Sequence, residues 1–557
     1  MPHIHAPLDP IAWLQRHVQE RPDQRYLTQP LGGGQERHFT WAQASEDARR
    51  MAAHLASFGW EPGSRVAIMS KNCAWWFLAD FAIQLAGHVS VPIYPSLTGA
   101  SVRHVLEHSE AKALFLGKLD SEDWGAMRAG IPEGMPVVRF PLCADGELPD
   151  QPVADWDTVI ARTPPLTGER SRGVDELATI IYTSGTTGVP KGVMHTFGTL
   201  GASLGIVMDD YGFGPQDRML SYLPLAHIAD RMFSELVSLA SGCSVTFNES
   251  VETFVTDLQK TRPTFFIAVP RLWAKFRQAV LARIPAPQLA AMLADTEKGP
   301  AVRRQVLAQL GLAETRYALS GAAPLSQELH QWYLDLGLEL LEIYGMTENM
   351  GTHASRPGKG RVGYVGQPRP GAEVRRTDDG EILVRFPGNM RGYFNDPQRT
   401  AEVMTEDGFL RTGDVGDIDA GGYLKLTGRA KDIFKTSKGK YVAPAPIENA
   451  LCGNPLVEAC CVTGVGFPQP FAVVLLAPGA TRSPELTQTL DALRQAVNET
   501  LDPHERLDFL VVAAQPWTVE NGLMTPTLKL RRNVFETRYG PDFERWASLG
   551  EPVVWAE

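Results

Sequence analysis

The segment 316–348 constrains the fold most, because a strand, a helix and a second strand follow one another there without a break. Residues 316–320 have the apolar composition of a strand, and apolar residues recur at helical spacing between positions 329 and 336. Gly337 ends this helix, and residues 338–343 again have the composition of a strand. A crossover helix of this kind makes its two strands parallel, so the sequence predicts a layered α/β domain.

Two short turns, Gly321–Pro324 and Gly345–Glu348, follow these strands. Ligands of open parallel sheets bind beyond the carboxyl ends of the strands, so we expect both turns at one rim. The apolar residues 177–181 predict a further buried strand. If this strand joins the same sheet, the loop after it meets the two turns at a single ligand.

That loop combines two glycines, Gly185 and Gly188, with Lys191 and a row of hydroxyl side chains. Glycine permits the backbone angles that turn successive N–H groups inward, and the hydroxyl and ammonium groups add donors for phosphate oxygens. The P-loop pattern G-x-x-x-x-G-K-[ST] is absent. The loop therefore predicts a polyphosphate site outside the Walker class, with a solvated turn as the plain alternative. The hydroxyl residues are Thr183, Ser184, Thr186 and Thr187.

Length and composition bound the remaining possibilities. The 557 residues exceed what one hydrophobic core supports, and a hydrophobic content of 44% is typical of globular chains. The net charge of −11 argues against a nucleic-acid partner, since binding of a phosphate backbone needs clustered Lys and Arg. The 6 cysteines include no C-x-x-C pair, which favours reduced thiols and a cytoplasmic protein. No apolar stretch has the length of a membrane span, although peripheral membrane contact and the oligomeric state stay open.

The sequence pattern of the C-terminal third differs from that of the preceding part of the chain. Beyond about residue 360 short strands alternate with glycines, a pattern that predicts a small antiparallel sheet or barrel. The charged run 429–432 is the predicted joint between two domains. The prediction is thus an N-terminal domain over 1–428, a hinge at 429–432 and a C-terminal domain over 433–557, which is long enough for a small fold of its own.

The order of six motifs along the chain resembles that of adenylate-forming enzymes, a superfamily of acyl-CoA synthetases, peptide-synthetase adenylation domains and firefly luciferases. The resemblance spans residues 39–532. Segments 87–95, 223–231 and 438–448 are most similar to bacterial long-chain fatty acyl-CoA synthetases. The six motifs are Tyr182–Gly192, Gly321–Pro324, Tyr344–Glu348, Arg411–Asp414, Gly428–Asp432 and Thr525–Leu530.

This resemblance implies a large N-terminal domain of layered α/β sheets with a small β-barrel, followed by a small mobile C-terminal α+β domain. It also implies an acid–thiol ligase that uses a carboxylic acid, ATP, Mg²⁺ and coenzyme A. A carboxylate resists acyl transfer because its leaving group would be oxide, and attack on the α-phosphate of ATP converts it to an acyl-adenylate. The thiol of coenzyme A then displaces AMP and gives the thioester.

The resemblance also assigns nucleotide contacts to the first five motifs. The loop after residue 181 would hold the β- and γ-phosphates, Thr347 would bond the α-phosphate, and Glu348 would hold Mg²⁺. Asp414 would accept from the ribose hydroxyls, and residues 321–323 would line the adenine. A helix N-cap at Thr347 and plain turns at the other positions are the competing interpretations. The implied nucleotide-binding residues are Thr183, Ser184, Gly185, Thr186, Thr187, Lys191, Gly321, Ala322, Ala323, Tyr344, Gly345, Asp414 and Arg429.

Lys529 is the catalytic residue that the resemblance places in the C-terminal domain. It would swing in to the α-phosphate and the substrate carboxylate, where a fixed positive charge stabilises the transition state. Between the half-reactions the domain would rotate about Lys431, remove Lys529 and bring Gly439 towards the channel for pantetheine. A plain surface loop at 429–432 is equally compatible with the sequence.

Substrate choice and acceptor are less constrained. His227, in the segment 223–231 that would flank the acyl pocket, is expected near the substrate carboxylate, with a structural histidine as the alternative. Some fatty-acid members place a tryptophan gate just after this histidine, whereas this chain has Arg231, so acyl chain length is not inferred. Two other functions stay open: transfer of a fatty or aryl acyl group to a carrier-protein phosphopantetheine, and a catalytically silent nucleotide-binding protein.

Overall fold

A computed structural model of the chain describes residues 9–143, 146, 148, 150–168, 171–184, 189–519, 521–525 and 529–556. Within these residues the strands form six sheets with helices packed against them. None of the helices there combines the length and the apolar character that a bilayer-spanning segment needs. The longer helices before residue 430 are Pro10–Glu20, Trp41–Ala56, Ala74–Leu85, Gly99–His108, Phe197–Tyr211, Phe254–Thr261, Pro270–Leu281, Ala286–Ala294, Gly299–Gln309 and Gln327–Asp335.

The helix Trp41–Ala56 shows how local sequence fixes an element. Thr40 Oγ1 accepts a hydrogen bond from the Gln43 backbone N–H at 3.3 Å, and Gln43 Oε1 accepts one from the Thr40 N–H at 3.0 Å. This capping box satisfies two donors that the first turn would otherwise leave unpaired. Met51 and Leu55, one turn apart, are fully buried and tie the helix to the core.

The predicted strand–helix–strand unit is confirmed. Strands Tyr317–Gly321 and Leu340–Tyr344 are parallel neighbours, and the helix Gln327–Asp335 connects them. Gly337 follows this helix with a φ of +84°, a left-handed backbone that favours glycine. The sheet has five strands, in the order Phe265–Ala268, Tyr317–Gly321, Leu340–Tyr344, His353–Ala354 and Gln367–Pro368.

The strand before the predicted phosphate loop lies in a different sheet, so the condition that it joins the parallel sheet of the strand–helix–strand unit is not met. Leu177–Ser184 pairs antiparallel with Pro190–Thr196, and this hairpin is part of an eight-stranded sheet. The chain returns directly after the loop instead of crossing over a helix, and a direct return makes an antiparallel pair. The eight strands are, in spatial order, Gly392–Tyr393, Pro190–Thr196, Leu177–Ser184, Val89–Ile93, Arg65–Met69, Ala113–Leu116, Val137–Arg139 and Val153–Asp155.

The glycine-rich strands after residue 370 form an open antiparallel sheet rather than the expected barrel. The outer strands Glu373–Arg376 and Leu424–Arg429 are not paired with each other within the described residues, so this sheet does not close. Its order is Glu373–Arg376, Glu381–Arg385, Leu410–Ile418 and Leu424–Arg429. A further four-stranded sheet combines two strands from near the N-terminus with two from residues 218–247. In spatial order the strands are Arg218–Ser221, Ser244–Phe247, Arg25–Gly32 and Gln35–Thr40.

One apolar cluster brings three of these sheets together. Val193 of the phosphate hairpin, Tyr344 of the parallel sheet, and Val384, Leu410 and Leu424 of the antiparallel sheet are all buried in it. The strand that carries Lys191 and the strand that leads into the Gly345–Glu348 turn therefore meet, although they belong to different sheets. Packing between sheets, and not membership of one sheet, positions the site.

The C-terminal part is a small α+β unit. A hairpin, Phe434–Lys435 with Tyr441–Val442, precedes a four-stranded mixed sheet that is covered on both faces. Buried residues from the first two helices line one apolar cluster, and those from the last two line the other. The strands are Val457–Thr463, Phe471–Leu476, Leu510–Val512 and Val553–Trp555, and the helices are Pro444–Cys452, Pro484–Glu499, Arg532–Tyr539 and Phe543–Ser548.

Candidate nucleotide and acyl site

The phosphate hairpin places Thr183 directly opposite Lys191 on its two paired strands. Thr183 Oγ1 is buried and has no hydrogen-bond partner among the described residues, so a donor or acceptor is left beside the lysine. Of the other predicted loop residues, the Ser184 side chain and Gly185, Thr186 and Thr187 lie outside the described residues. Their roles therefore stay predictions.

Lys191 meets Glu348 across the gap between two sheets. Lys191 Nζ lies 3.1 Å from Glu348 Oε1, and the Glu348 side chain is only 10% exposed. Tyr393 joins the pair: its hydroxyl donates to Glu348 Oε1 at 2.8 Å and accepts a hydrogen bond from Lys191 Nζ. A cation and a carboxylate thus lie side by side, and the binding of phosphate by Lys191 and of a metal ion by Glu348 stays a prediction.

His195 fixes the turn that carries Thr347 and Glu348. Its Nε2 donates to the Thr347 backbone carbonyl at 2.7 Å, and Nδ1 is 3.1 Å from Thr199 Oγ1. Burial lowers the pKa of the His195 imidazole to about 4, so the ring stays neutral and one tautomer satisfies both contacts. No helix begins after Thr347, which excludes the helix N-cap interpretation for this pair.

Asp414 is held at both carboxylate oxygens. Tyr344 donates its hydroxyl hydrogen to Asp414 Oδ2 at 2.7 Å, and Arg429 Nε is 3.0 Å from Oδ1. Asp414 and Arg429 face each other on adjacent antiparallel strands, so their pairing follows from the register. Burial and the Asp414 charge raise the pKa of the Tyr344 phenol, so this group stays a donor.

The two small-residue turns lie where the parallel strands end. A β-carbon on Gly345 would come within 2.3 Å of the Gly351 backbone, so only glycine allows this close approach. Ala322 has a φ of +66°, the strained left-handed region for a residue with a side chain. Ala322 and Ala323 are exposed at the rim beyond Gly321, an open surface of small residues that a flat ring could contact.

His227 is positioned by a network beneath the acyl loop. Its Nδ1 accepts the Ala229 backbone N–H at 3.1 Å, so the proton of the neutral ring lies on Nε2. Burial, and to a smaller extent the charge of Lys529, lower the pKa of the imidazole to about 4. Asn72 clamps the loop from below, because its amide donates to the Leu223 carbonyl at 2.7 Å and to Asp230 Oδ2 at 2.9 Å.

Lys529 extends from the C-terminal part towards these groups. Water reaches its side chain, yet surrounding protein is dense enough that desolvation lowers the pKa of the ammonium group. Arg429 lowers this pKa too, whereas the charges of Asp414 and Glu348 raise it. Together with its effect on His227, these interactions place Lys529 in the electrostatic reach of both the nucleotide residues and the acyl loop.

Comparison with known proteins identifies the chain. A family model described as "AMP-binding enzyme" matches residues 14–394, and one described as "AMP-binding enzyme C-terminal domain" matches residues 431–545. The chain belongs to the AMP-binding, adenylate-forming enzymes. It is 32% identical to a long-chain-fatty-acid–CoA ligase, FadD15, of Mycobacterium bovis, over 94% of this chain and 95% of the relative. It is 30% identical to the peroxisomal long chain acyl-CoA synthetase 6 of Arabidopsis thaliana, over 90% and 80%.

Solved structures share the fold. The anthranilate CoA ligase AuaEII in complex with anthranoyl-AMP superimposes with a TM-score of 0.76 at 22% identity, covering 97% of this chain and 99% of that one. The adenylation domain of a carboxylate reductase from Mycobacterium chelonae gives 0.79 at 22% identity, covering 98% and 92%. These matches confirm the prediction of a large N-terminal α/β domain followed by a small C-terminal domain.

Glu348 is the candidate ligand for Mg²⁺, and its surroundings suit that ion. Among the described residues, no three His, Cys, Asp or Glu side chains cluster as a metal cage. Mg²⁺ is commonly bound through one or two carboxylates plus substrate phosphates, so the single carboxylate of Glu348 beside Lys191 suits it. Glu348 is the residue that would hold the ion.

Two functional candidates escaped sequence reasoning. Tyr393 lies 45 residues from Glu348 and 202 from Lys191 along the chain, so no local pattern connects them. His195 lies four residues after Lys191 on the same strand, so the two residues lie on the same face of the sheet. This alternation is the sequence signal that could have indicated His195.

Two predicted residues of the second half-reaction lie in turns. Lys431 lies in the turn 429–432, where desolvation and then the charges of Arg429 and Lys191 lower the pKa of its ammonium group. Gly439 lies in a C-terminal hairpin turn with a φ of +77°.

At position 231 this chain has arginine, where some fatty-acid members of the resembled family have a tryptophan. The side chain of Arg231 is 1% exposed, and Nη2 donates to Asp80 Oδ1 at 2.6 Å while Nη1 donates to Thr179 Oγ1 at 2.7 Å. Glu235 lies 3.2 Å from Arg231 Nε, and burial raises the pKa of Glu235 well above its usual range. A residue held this way belongs to the packed interior beneath the loop and cannot swing as a gate.

Proposed function

We propose that this chain is an ATP-dependent acid–thiol ligase that converts a medium- or long-chain fatty acid to its acyl-CoA thioester. The reaction passes through an acyl-adenylate and releases AMP and pyrophosphate. The observation that supports it best is the position of Lys529, whose charge acts on Glu348, Asp414 and His227 at once. The relatives named as long-chain fatty-acid–CoA ligases, at 30–32% identity over most of the chain, support the same substrate class.

In the first half-reaction the fatty-acid carboxylate attacks the α-phosphate of ATP. His227 carries its proton on Nε2 and is neutral, so it donates a hydrogen bond that orients the carboxylate without repelling it. Lys529 places a positive charge where the α-phosphate and the carboxylate meet, and the charge that develops there is stabilised. Lys191 and the hydroxyl loop hold the departing pyrophosphate, and Mg²⁺ at Glu348 would neutralise charge on the phosphates.

In the second half-reaction the thiol of coenzyme A displaces AMP from the acyl carbon. We propose that the C-terminal domain rotates about Lys431 for this step, which removes Lys529 and brings the Gly439 hairpin towards the thiol. In the turn 429–432, Ala430 and Lys431 are exposed and the other two residues are partly buried. Its main-chain bond to the N-terminal part is Ala430 N–H to the Gly413 carbonyl at 2.9 Å. A joint of this kind absorbs backbone rotation at low cost.

The test is a pair of assays on a panel of straight-chain acids of graded length. Acid-dependent exchange of pyrophosphate into ATP is expected for medium or long chains, and thioester formation with free coenzyme A is expected with the same acids. Exchange without any thioester would indicate a carrier-protein acceptor instead. Absence of exchange with every fatty and aryl acid would contradict the proposal and favour a silent nucleotide-binding protein.

A further inference from the structure

Tyr393 lies between the two charged side chains that the proposed function assigns to the metal and the phosphates. Its hydroxyl donates to Glu348 Oε1 at 2.8 Å and accepts from Lys191 Nζ. The same ammonium group lies 4.1 Å from the centre of the Tyr393 ring, so lysine is attracted to both the oxygen and the aromatic face. One neutral residue thus contacts both charges.

The position of Tyr393 is fixed by its backbone. The short strand Gly392–Tyr393 pairs with the phosphate hairpin, with Tyr393 opposite Val193. The Tyr393 N–H donates to Thr400 Oγ1 at 2.9 Å, and the next N–H donates to the Gly192 carbonyl at 2.8 Å. The side chain is 4% exposed within the cluster that joins the sheets. A phenol on this frame has little freedom to leave Glu348.

The geometry distinguishes the two oxygens of Glu348. Within the described part of the chain, the contacts from Tyr393 and Lys191 both end on Oε1, which leaves Oε2 for a cation. Without the phenol, the ammonium group and the carboxylate would face only each other, and a closed ion pair offers less charge to phosphate and metal.

We propose that Tyr393 is a positioning residue for the metal–nucleotide pair: it holds Glu348 by Oε1 so that Oε2 faces the metal ion, and it keeps Lys191 beside the phosphates. This inference rests on the proposed function, because that function supplies the metal and the triphosphate. Residues that orient a metal ligand through a hydrogen bond typically change metal affinity by about ten- to a hundredfold when removed.

The test compares Tyr393→Phe with wild type by the binding of Mn²⁺, followed by electron paramagnetic resonance, in the presence of a non-hydrolysable ATP analogue. We expect Mn²⁺ to bind about tenfold more weakly, because the aromatic ring stays and only the hydroxyl is lost. AMP binding by calorimetry and the KM for the acid should stay unchanged, since Asp414 and His227 are untouched. Tyr423→Phe is the matched control, because its hydroxyl donates to the Lys359 carbonyl at 3.3 Å on the exposed surface.

Unchanged Mn²⁺ affinity in Tyr393→Phe would overturn the inference, and so would an equal loss of AMP binding, which would indicate a merely structural residue. If Tyr393→Phe does not fold, 3-fluorotyrosine at position 393 keeps the hydroxyl but makes it a stronger donor, and Mn²⁺ affinity should then differ from wild type. Equal Mn²⁺ affinities of the 3-fluorotyrosine protein and wild type would also contradict the proposed role of Tyr393. Pyrophosphate exchange by the wild-type enzyme is measured in parallel. If the wild type shows no exchange, the proposed function is contradicted. If exchange is normal but Mn²⁺ binding is the same in Tyr393→Phe and wild type, only the proposed role of Tyr393 is contradicted.

Discussion

The nucleotide side of the site and the loop that carries Lys529 differ in how firmly the protein holds them. Glu348, Asp414 and His195 are buried and bonded to residues from other sheets. Lys529 is exposed, and its loop is tied by bonds to its own neighbours, such as Lys529 N–H to Thr525 Oγ1 at 3.0 Å. This contrast is what the proposed function requires: a firmly held frame for the nucleotide, and a separate, less tightly held segment for the charge of Lys529.

The contacts between the two parts are correspondingly light. Arg271 on the N-terminal side forms an ion pair with Glu458 on the C-terminal sheet, and the two side chains are 41% and 26% exposed. Ion pairs at such exposure contribute about 0–1 kcal/mol. The buried pair of Arg231 and Asp80 is of another kind, because loss of one partner would leave a charge without water or counter-ion.

The largest effect is expected from breaking the rigid side. Arg231→Met should lower the free energy of unfolding by about 3–5 kcal/mol, because Asp80 is then left buried without its guanidinium partner. Urea unfolding measures this. Arg16→Met is the control, since Arg16 pairs with Glu20 on the surface at 2.7 Å and should change stability by less than about 1 kcal/mol. Equal, small losses in both variants would refute the contrast between buried and exposed pairs.

The next largest effect tests the mobile side. Lys529→Ala should slow adenylation by about 10²–10³-fold, because a preorganised charge at the reacting atoms is lost. Thioester formation from a supplied acyl-adenylate should stay mostly intact, as the lysine is withdrawn for that step. Stopped-flow assays of the two half-reactions separate these rates, with Lys425→Ala on an exposed strand position as the control. Equal loss in both half-reactions would contradict the proposed movement.

A smaller effect is expected at the metal ligand. Glu348→Gln keeps the shape and the hydrogen bond from Tyr393 but removes the negative charge, so half-saturating Mg²⁺ should rise by about a hundredfold. Titration of pyrophosphate exchange with Mg²⁺ at fixed ATP checks this. Glu342→Gln serves as the control, because Glu342 is buried on the strand Leu340–Tyr344 that precedes the turn of Glu348. An unchanged Mg²⁺ titration in Glu348→Gln would show that this carboxylate does not hold the metal.

The smallest effect concerns the link between the two parts. Arg271→Glu should change the ratio of adenylation to thioester formation by no more than about fivefold, because an exposed ion pair contributes at most about 1 kcal/mol. The double variant Arg271→Glu with Glu458→Arg should restore the wild-type ratio. Arg375→Glu, which breaks an exposed pair with Asp407 inside one sheet, should leave the ratio alone. A double variant that fails to recover would show that the pair does not set the ratio.

The fold followed from the sequence wherever local patterns determine it. Periodicity and a glycine stop predicted the strand–helix–strand unit 316–348. The resemblance to adenylate-forming enzymes assigned Lys191, Glu348 and Asp414 to one site, and in the structure Lys191 contacts Glu348 while Asp414 contacts Tyr344 of the neighbouring motif. Of the two forms that the alternating pattern predicted, sheet or barrel, the described strands form the open sheet, and strand 177–184 lies outside the parallel sheet. Both features depend on which distant strands pair. A barrel and an open sheet have the same alternating sequence pattern.

The contacts that orient the site were beyond sequence reasoning for the same cause. Arg231 and Asp80 are 151 residues apart, and His195 and Thr347 are 152 apart. Contacts between residues so far apart produce no periodic pattern in the sequence. The residue type alone would predict Arg231 to lie at the surface, since arginine is rarely buried without a partner. The sequence could show that a tryptophan was missing at this position but not that a guanidinium was buried in its place.

The buried guanidinium beneath the acyl loop also has an evolutionary consequence. An aromatic side chain at position 231 would strand Asp80, and a neutral residue at position 80 would strand Arg231, so neither can be exchanged alone without a large loss of stability. A descendant of this chain could gain a mobile aromatic gate at position 231 only if positions 80 and 231 changed together. Lineages that carry this couple are therefore expected to alter their preference for acid length by substitutions elsewhere around the pocket.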